Sequence, residues 1–350
     1  MRQRQSSKKQ RQSSKKQRQS SKKRMTGSKK RKLGKKIERR KVKSNILVLD
    51  KLMSDDKIAK KEGNYFKSKD YNHIVNYDCD VYGIVDGKQK LLAKFRKNVI
   101  PKYLTELALK NLKEPAKAYH DNRGSAAGKL DFKKVPQYVK RDKVEKISAF
   151  RVHGYYSNTT GKFVNISLGN SAQSNIIGYY DKADRNINAE KIPCRLTSFN
   201  AKEPEKFKEV VPFLSKCDNI FKNLVPDSHK KQYDVAHETD FVIADTAFST
   251  ITINYNWRTA LHKDAGDFKE GFGNLIVCEE GDYKGGYTGF PQYGVCFDVR
   301  NGDFLAMDVH EWHSNTEIKK KSKDYTRLSI VCYLRKNMVK CKGIKPKIKF

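Results

Sequence analysis

The sequence lacks the features that mark several large classes of protein. Its seven cysteines are scattered and never form a C-x-x-C pair, so we predict no structural zinc site and interpret the cysteines as reduced, buried side chains. No apolar run approaches the ~18 residues that a membrane span needs, and the N-terminus has no apolar signal segment. We therefore expect an intracellular, soluble protein without a membrane partner.

Acidic residues are also scarce, at 39 Asp and Glu against 74 Lys and Arg, which leaves a net charge of +35. Residues 1–43 hold 21 of the basic residues and a single acid, Glu38. Such a balance favours a polyanionic partner, because neutralising phosphates releases condensed counterions. We predict that this partner is DNA, with RNA as the alternative; a tail that only aids solubility would have the same composition.

The basic N-terminus is built from a repeat. RQSSKKQ occurs at 4–10 and 11–17, and RQSSKK follows at 18–23. No position of this seven-residue repeat is apolar, so it cannot form a coiled coil, and we predict a disordered basic tail over residues 1–44. The cluster at 29–41 is typical of nuclear-import or nucleic-acid-binding segments, which indicates the nucleus if the cell is eukaryotic.

A folded domain is predicted over residues 45–350. Residues 81–95 contain Asp86-Gly87 between alternating apolar positions, which predicts a β-hairpin. A helix is also predicted over residues 101–118, after Pro101. Residues 203–224 have apolar side chains at three- and four-residue spacing, which predicts an amphipathic helix that covers one face of a sheet.

From about residue 237 the pattern changes to short β-rich runs separated by Gly, Asp and Asn. These runs are FVIADTAFSTITINYN, GNLIVCEE, GVCFDV, GDFLAMDV and RLSIVCYL. Several short strands at this spacing indicate a barrel or a double-sheet jelly roll.

Metal-ligating residues lie within this β-rich region. His262 and Asp264 form an H-x-D pair after one strand, and their side chains point the same way if the chain is extended. Two histidines and one carboxylate on one face of an iron leave the other positions open for a co-substrate and O₂. His310 and His313, both after a later strand, compete for the second histidine position. We favour His313, because it lies past the strand end.

Fourteen residues after His313, the run RLSIVCYLR predicts a final strand. A period of two places Arg327, Ser329, Val331 and Tyr333 on one face. An arginine on an otherwise largely apolar strand face is costly unless it has an anionic partner. The distal carboxylate of 2-oxoglutarate would supply that partner, with the Ser329 hydroxyl donating beside the guanidinium.

These residues resemble the TET/JBP group of Fe(II)- and 2-oxoglutarate-dependent nucleobase dioxygenases. The matching segments are NWRTALHKDAGD at 256–267, GNLIVCEEGDYKGGY at 273–287, FPQYGVCFDVRNGDFLAMDVHEWHSNT at 290–316 and RLSIVCYLR at 327–335, with NRGSAAG at 122–128, IIGYYD at 176–181 and CRLTSF at 194–199 upstream.

The resemblance implies an α+β protein with a mainly β core, a double-stranded β-helix of the jelly-roll, cupin-like type flanked by helices, with its core at about 145–335. It also implies Fe(II) held by His262, Asp264 and His313, 2-oxoglutarate held by Arg327, and O₂ as the oxidant.

The implied reaction is hydroxylation of the 5-methyl group of 5-methylcytosine or thymine in DNA. The base must be flipped out of the duplex to reach a buried iron. Six residues are candidates for contacts with the base or the flanking strand: Arg195, Thr197, Asn256, Arg258, Tyr283 and Tyr287. The alternative for each of these six residues is a purely structural role.

Two other functions fit the same sequence. The first keeps the iron chemistry but acts on RNA bases or on a protein side chain. The second is a catalytically silent DNA-binding protein that uses the fold and the basic tail. The complete ligand set argues against the second. The sequence does not indicate an oligomeric state.

Overall fold

The structure is a computed structural model that describes residues 44–131, 146–156, 160–181 and 194–350. Ser44–Phe350 form one compact unit. Apart from Ser44, the predicted basic tail and its cluster at 29–41 lie outside the described residues. No helix within the described ranges is long and apolar enough to cross a membrane.

The described residues contain five α-helices. In chain order they are α1 Asp55–Ala59, α2 Lys102–Ala116, α3 Ser198–Lys202, α4 Pro204–Leu224 and α5 Pro226–Ala236. The helices predicted at 101–118 and 203–224 are confirmed as α2 and α4. Proline occupies the first position of α4. A backbone N–H at this position would have no acceptor within the helix, so proline causes no loss of a hydrogen bond there.

The strands of the described residues are short and follow the predicted β-rich runs. In the first half of the chain they are β1 Asn45–Leu49, β2 His73–Val75, β3 Cys79–Val85, β4 Lys88–Arg96, β5 Tyr119–His120, β6 Lys146–Ile147, β7 Arg151–Tyr156, β8 Phe163–Gly169 and β9 Ala172–Tyr180. In the second half they are β10 Arg195–Leu196, β11 Thr250–Tyr255, β12 Gly273–Glu280, β13 Tyr283–Gly285, β14 Thr288–Phe290, β15 Val295–Phe297, β16 Phe304–Met307, β17 Ser314–Asn315, β18 Ile318–Lys320 and β19 Thr326–Tyr333.

Two sheets face each other. The larger sheet has the strand order β1-β3-β4-β16-β12-β19-β11-β9-β10, with β5 added to β9, and the smaller has the order β17-β14-β15-β2. One buried cluster joins them, because it contains Leu275 and Leu305 of the large sheet and Phe290 and Phe297 of the small sheet. This arrangement confirms the predicted mainly β, jelly-roll core flanked by helices.

Helices cover the other face of the large sheet. Ile276 of β12 and Ile330 of β19 pack with Leu214 and Phe221 of α4 in a second buried cluster. Alternate residues of β12 and β19 therefore enter two different cores, as a period of two requires. The face of β19 that carries Ser329 and Val331 is left for the interior of the jelly roll.

The N-terminal part of the domain extends both sheets beyond the core predicted at 145–335. β4 pairs with β16 and β2 pairs with β15. The predicted hairpin at 81–95 is confirmed as β3 and β4, whose turn places Asp86 and Gly87 at φ 50° and 73°. The jelly roll is thus assembled from both ends of the domain.

The prediction that all cysteines are reduced is wrong for two of them. Cys194 and Cys341 are joined by a disulfide across 147 residues, with a Cα–Cα distance of 6.1 Å that suits such a bond. Cys79, Cys217, Cys278, Cys296 and Cys332 are free and buried, as expected. The pairing depends on the fold, because it joins a segment beside β10 to the C-terminal region.

Candidate metal centre and its pocket

His262, Asp264 and His313 meet at one point of the fold. His262 and His313 pair through their backbones, with 3.0 Å hydrogen bonds in both directions, and the Asp264 N–H donates to the Val309 carbonyl. Asp264 Oδ1 lies 3.6 Å from His262 Nε2, and its Oδ2 lies 3.8 Å from His313 Nε2. One potential ligand atom from each residue lies within 4.8 Å of the others.

Hydrogen bonds orient both imidazoles as metal ligands. His262 Nδ1 lies 2.8 Å from the Ala260 carbonyl oxygen, and His313 Nδ1 lies 2.9 Å from that of Glu311. A carbonyl only accepts, so each Nδ1 carries the proton and each Nε2 keeps its lone pair. Burial, and then the neighbouring His313, lower the pKa of His262 to about 4, which keeps its ring neutral at physiological pH.

The second candidate histidine, His310, does not join this group. Its Nε2 lies 3.1 Å from the Phe268 carbonyl oxygen, and its backbone N–H donates to Asp308. The structure thus brings His313 rather than His310 to the carboxylate. The donor set of two imidazoles and one carboxylate is the one that non-haem Fe(II) oxygenases use.

A cavity of about 360 Å³ opens from the three ligands. Ser329, Val331 and Tyr333 line it, in agreement with the predicted inward face of β19. The Ser329 hydroxyl accepts a 3.2 Å hydrogen bond from Asn254, a neighbour on β11. The cavity is therefore polar near Ser329, beside the arginine that precedes this serine on the same strand face.

Arg327 is 1% exposed and carries a charge without a carboxylate partner among the described residues. One of its terminal nitrogens donates to the Gly286 carbonyl at 3.0 Å, and its buried Nε has no hydrogen-bond partner in the part of the chain that the structure describes. Arg327 is not among the residues that line the cavity, but it stands two residues before Ser329, which does line it. An unpaired buried guanidinium fits an organic acid such as 2-oxoglutarate.

Several polar cavity residues were missed by the sequence reasoning. Arg123, Tyr180, Trp257, Asp267 and Arg335 all line the cavity. Burial lowers the pKa of the Arg123 guanidinium, whereas burial and then Asp264 raise the pKa of the Asp267 carboxyl. Arg123 and Tyr180 lie in NRGSAAG and IIGYYD, two of the segments that resemble the TET/JBP group. That resemblance was therefore a way to identify them. Asp267 is three residues after Asp264, a spacing with no signal of its own.

The six candidate substrate residues do not line this cavity. Asn256 instead accepts a 2.6 Å hydrogen bond from the Arg327 N–H through its side chain. Arg258 donates to the carbonyls of Phe66 and Asn315 and stacks on Tyr65. Both residues stabilise the walls of the site from outside.

The remaining four also contact other parts of the protein. Tyr283 is buried, and its hydroxyl donates to Glu279. Arg300 lies over the rings of both Tyr283 and Tyr287, at 4.5 and 5.8 Å. Thr197 is buried, and its hydroxyl donates to Asn200. Arg195 packs on the Tyr180 ring, one layer behind the cavity. Polarity and motif position cannot show on which side of a strand or loop a side chain will lie.

Residues 175–336 match the family model described as the oxygenase domain of the 2OGFeDO superfamily, Tet_JBP. The jelly-roll core and the three candidate ligands agree with this match. "Thymine dioxygenase JBP1" of Trypanosoma brucei brucei is 38% identical over 169 residues, which cover 48% of this chain and 20% of that relative. "Bifunctional helicase and thymine dioxygenase JBP2" of Leishmania braziliensis is 35% identical over 164 residues, covering 47% and 14%. Residues 175–336 of the chain are therefore similar to the oxygenase domain of the TET/JBP family.

The chain spans about a fifth or less of the length of these curated relatives. A solved structure described as NgTET1 in complex with 5mC DNA covers 87% of this chain and 86% of that one, with 13% identity and a TM-score of 0.47. That likeness is too weak to bear on fold or function.

Proposed function

We propose that this protein is an Fe(II)- and 2-oxoglutarate-dependent dioxygenase that hydroxylates the 5-methyl group of a pyrimidine in DNA. The observation that carries the proposal is the meeting of His262, Asp264 and His313 in a domain that also buries an arginine, Arg327, with no counter-ion among the described residues. The similarity of residues 175–336 to the Tet_JBP oxygenase domain supports the same chemistry.

The chain's own residues would hold and orient the reactants. His262, Asp264 and His313 would bind the iron on one face, and Arg327 with Ser329 would bind the distal carboxylate of 2-oxoglutarate. Iron, 2-oxoglutarate and O₂ together supply the oxidising chemistry when they are bound. Arg123, buried at the cavity wall, is a second cation that can hold an anionic ligand there.

The side of the cavity lined by Tyr180, Asp267, Tyr333 and Arg335 would receive the flipped base. Tyr333 offers an aromatic surface, and its hydroxyl lies 3.1 Å from that of Thr252, which holds the ring in place. Arg335 can donate to a base carbonyl, and the Asp267 carboxyl can pair with a ring N–H or an amino group. This donor and acceptor pair suits a pyrimidine edge.

We propose thymine as the first base to test, because the curated relatives at 35 and 38% identity are named thymine dioxygenases. Asp267 and Arg335 can pair with thymine or with 5-methylcytosine, so both bases belong in the experiment. The protein would be incubated with Fe(II), 2-oxoglutarate and duplexes containing either base, and the nucleosides would be analysed by mass spectrometry.

We expect a 5-hydroxymethyl pyrimidine with wild-type protein and none with Asp264→Ala. Unchanged bases in both duplexes would reject the DNA substrate. Succinate formation stimulated by RNA or by peptides, but not by DNA, would move the activity to those substrates. If the Asp264→Ala variant had the same biochemical effect as the wild type, that result would instead favour a catalytically silent DNA-binding protein.

The basic tail is proposed to bind the DNA backbone. Replacing its Lys and Arg residues at 1–43 by Gln keeps the length and removes the charge. We expect weaker DNA binding with a flatter dependence on salt, and nearly constant turnover at saturating DNA. An unaltered salt slope in a fluorescence-anisotropy titration would contradict this role.

Nuclear import through residues 29–41 is also proposed, for a eukaryotic cell. A fluorescent fusion of the full chain should accumulate in nuclei, and the same fusion with neutral residues at the basic positions of 29–41 should not. Equal nuclear accumulation of the two fusions would reject the import role.

A further inference from the structure

A lysine from the N-terminal hairpin reaches the turn that carries one of the proposed iron ligands. Lys90 of β4 lies 2.8 Å from Asp308 Oδ2 and 2.7 Å from Glu311 Oε1. Asp308 and Glu311 belong to the turn between β16 and His313, and both carboxylates are nearly buried. One ammonium group therefore bridges two carboxylates that stand close together and offsets their repulsion.

This turn controls the orientation of His313. The Glu311 carbonyl accepts the hydrogen bond from His313 Nδ1 at 2.9 Å. Asp308 stabilises the turn from within, since its side chain accepts from the His310 N–H and its carbonyl accepts from the Glu311 N–H. A shift of Glu311 would thus change the direction of the His313 Nε2 lone pair.

The other histidine ligand is supported differently. The carbonyl that orients His262 belongs to Ala260, and the Ala260 N–H donates to the Ala126 carbonyl at 2.8 Å. Backbone pairing therefore fixes the support of His262. The support of His313 additionally depends on a side-chain ion pair, and without it two like charges would repel each other in one short turn.

We propose that Lys90 is a positioning residue of the metal centre, which holds Asp308 and Glu311 so that His313 presents its Nε2 atom to the iron. This inference rests on the proposed function. It makes the hairpin β3–β4 part of the catalytic unit, although the hairpin lies outside the residues 175–336 that match the family model. The role is indirect, since Lys90 acts through Glu311.

The test is metal binding by the metal-free full chain, with Co(II) and, without oxygen, Fe(II) as probes. The protein has two tryptophans, of which Trp312 precedes His313 and Trp257 lines the cavity, so their fluorescence can report binding. Lys90→Met should weaken the affinity by about ten-fold, the lower end of the loss seen when a ligand's supporting hydrogen bonds are removed. Lys90→Arg should restore most of it.

Lys94→Met is the matched control. Lys94 lies on the same strand and pairs with Asp80 at 3.3 Å, away from the His313 turn. The Lys94→Met variant should have the wild-type affinity for both Co(II) and Fe(II). At saturating iron, the KM for 2-oxoglutarate of Lys90→Met should equal that of the wild type, because Lys90 does not touch the co-substrate side of the cavity.

Glu311→Gln provides a second variant if Lys90→Met does not fold, as judged by circular dichroism and thermal unfolding. It keeps the backbone carbonyl and loses one arm of the ion pair, so the affinity should fall by a smaller factor. Wild-type metal affinity in folded Lys90→Met or in Glu311→Gln would overturn the inference. Absence of metal binding by the wild type would overturn the proposed function itself, which is a different result.

Discussion

Arg327 and Arg335 stand near opposite ends of β19 and differ in how their charges are compensated. Arg335 Nε lies 2.5 Å from Asp181 Oδ1, and its guanidinium stacks on Tyr180 at 4.6 Å. Arg327 is more deeply buried, but within the described part of the chain it has only the Gly286 carbonyl and an unpaired Nε. A buried cation without an anion is unfavourable in a folded protein unless a ligand supplies the anion. The comparison therefore separates an arginine whose charge is compensated within the protein from one whose charge calls for an anionic ligand.

The largest expected effect concerns stability at the Arg335 end. Arg335→Met would leave the Asp181 carboxylate, whose side chain is fully buried, without its partner. Breaking a buried ion pair in this way costs about 3–5 kcal/mol of the free energy of unfolding, measurable by urea titration. Lys230→Met, which breaks an exposed pair with Asp234, should change it by less than about 1 kcal/mol.

The double variant Arg335→Met with Asp181→Asn tests the cause. Removing the stranded charge should recover part of the lost stability. A double variant that is as unstable as the sum of the two single variants would show that the ion pair is not responsible.

At the other end, Arg327→Met should affect binding rather than stability. The KM for 2-oxoglutarate, followed by succinate formation, should rise by about 10²–10³-fold, since losing one partner of a buried charge pair costs about 2–5 kcal/mol. The free energy of unfolding should stay within about 1 kcal/mol of wild type, because only one hydrogen bond to a carbonyl is lost.

Ligand-induced stabilisation gives an independent measurement of the same point. 2-Oxoglutarate at 100 times its Kd stabilises the folded state by about 2.7 kcal/mol and should raise the Tm of the metal-loaded wild type, but not of Arg327→Met. An unchanged KM for Arg327→Met, or a loss of stability as large as that of Arg335→Met, would remove the distinction between the two arginines.

The smallest effect is expected from Gly286, whose carbonyl bonds Arg327. Gly286 has φ +69°, and an added Cβ would lie 3.0 Å from Arg327 Nε. Gly286→Ala should raise the KM for 2-oxoglutarate by roughly five-fold, equal to about 1 kcal/mol, because Arg327 must shift. Gly87 has φ +73° and no atom within 4 Å of an added Cβ, so Gly87→Ala has the same backbone strain without that contact.

Both glycine variants should lose about 1 kcal/mol of stability from the left-handed backbone. The KM should change in Gly286→Ala alone. Equal KM values in the two variants would mean that Arg327 does not depend on its neighbour for position.

Local patterns explain why parts of the site could be predicted. The alternation in RLSIVCYL placed Ser329 and Tyr333 on one face, because a strand has no other way to arrange neighbouring side chains. The H-x-D pair likewise needed only short-range geometry. The choice between His310 and His313 was a preference until the backbone pairing of His262 with His313 settled which ring reaches Asp264.

Long-range contacts explain what the sequence did not show. Asn256 and Arg258 stand beside the metal ligands in the chain, yet their side chains turn to the backbone of β19 and to Tyr65. Arg123 reaches the cavity from a segment far from the ligands in the sequence, and the contact of Lys90 with Glu311 joins residues 221 positions apart. No periodicity within one segment contains that information.

The amino-acid sequence by itself determined the basic N-terminus, the order of strands and helices and the chemical types of the ligands, because these depend on composition and on spacing within single segments. Only the tertiary structure decided which histidine joins Asp264, which buried arginines have no carboxylate partner among the described residues and which cysteines pair. Those outcomes depend on where residues far apart in the chain come to lie once the two sheets pack, and on which charges that packing leaves without a partner.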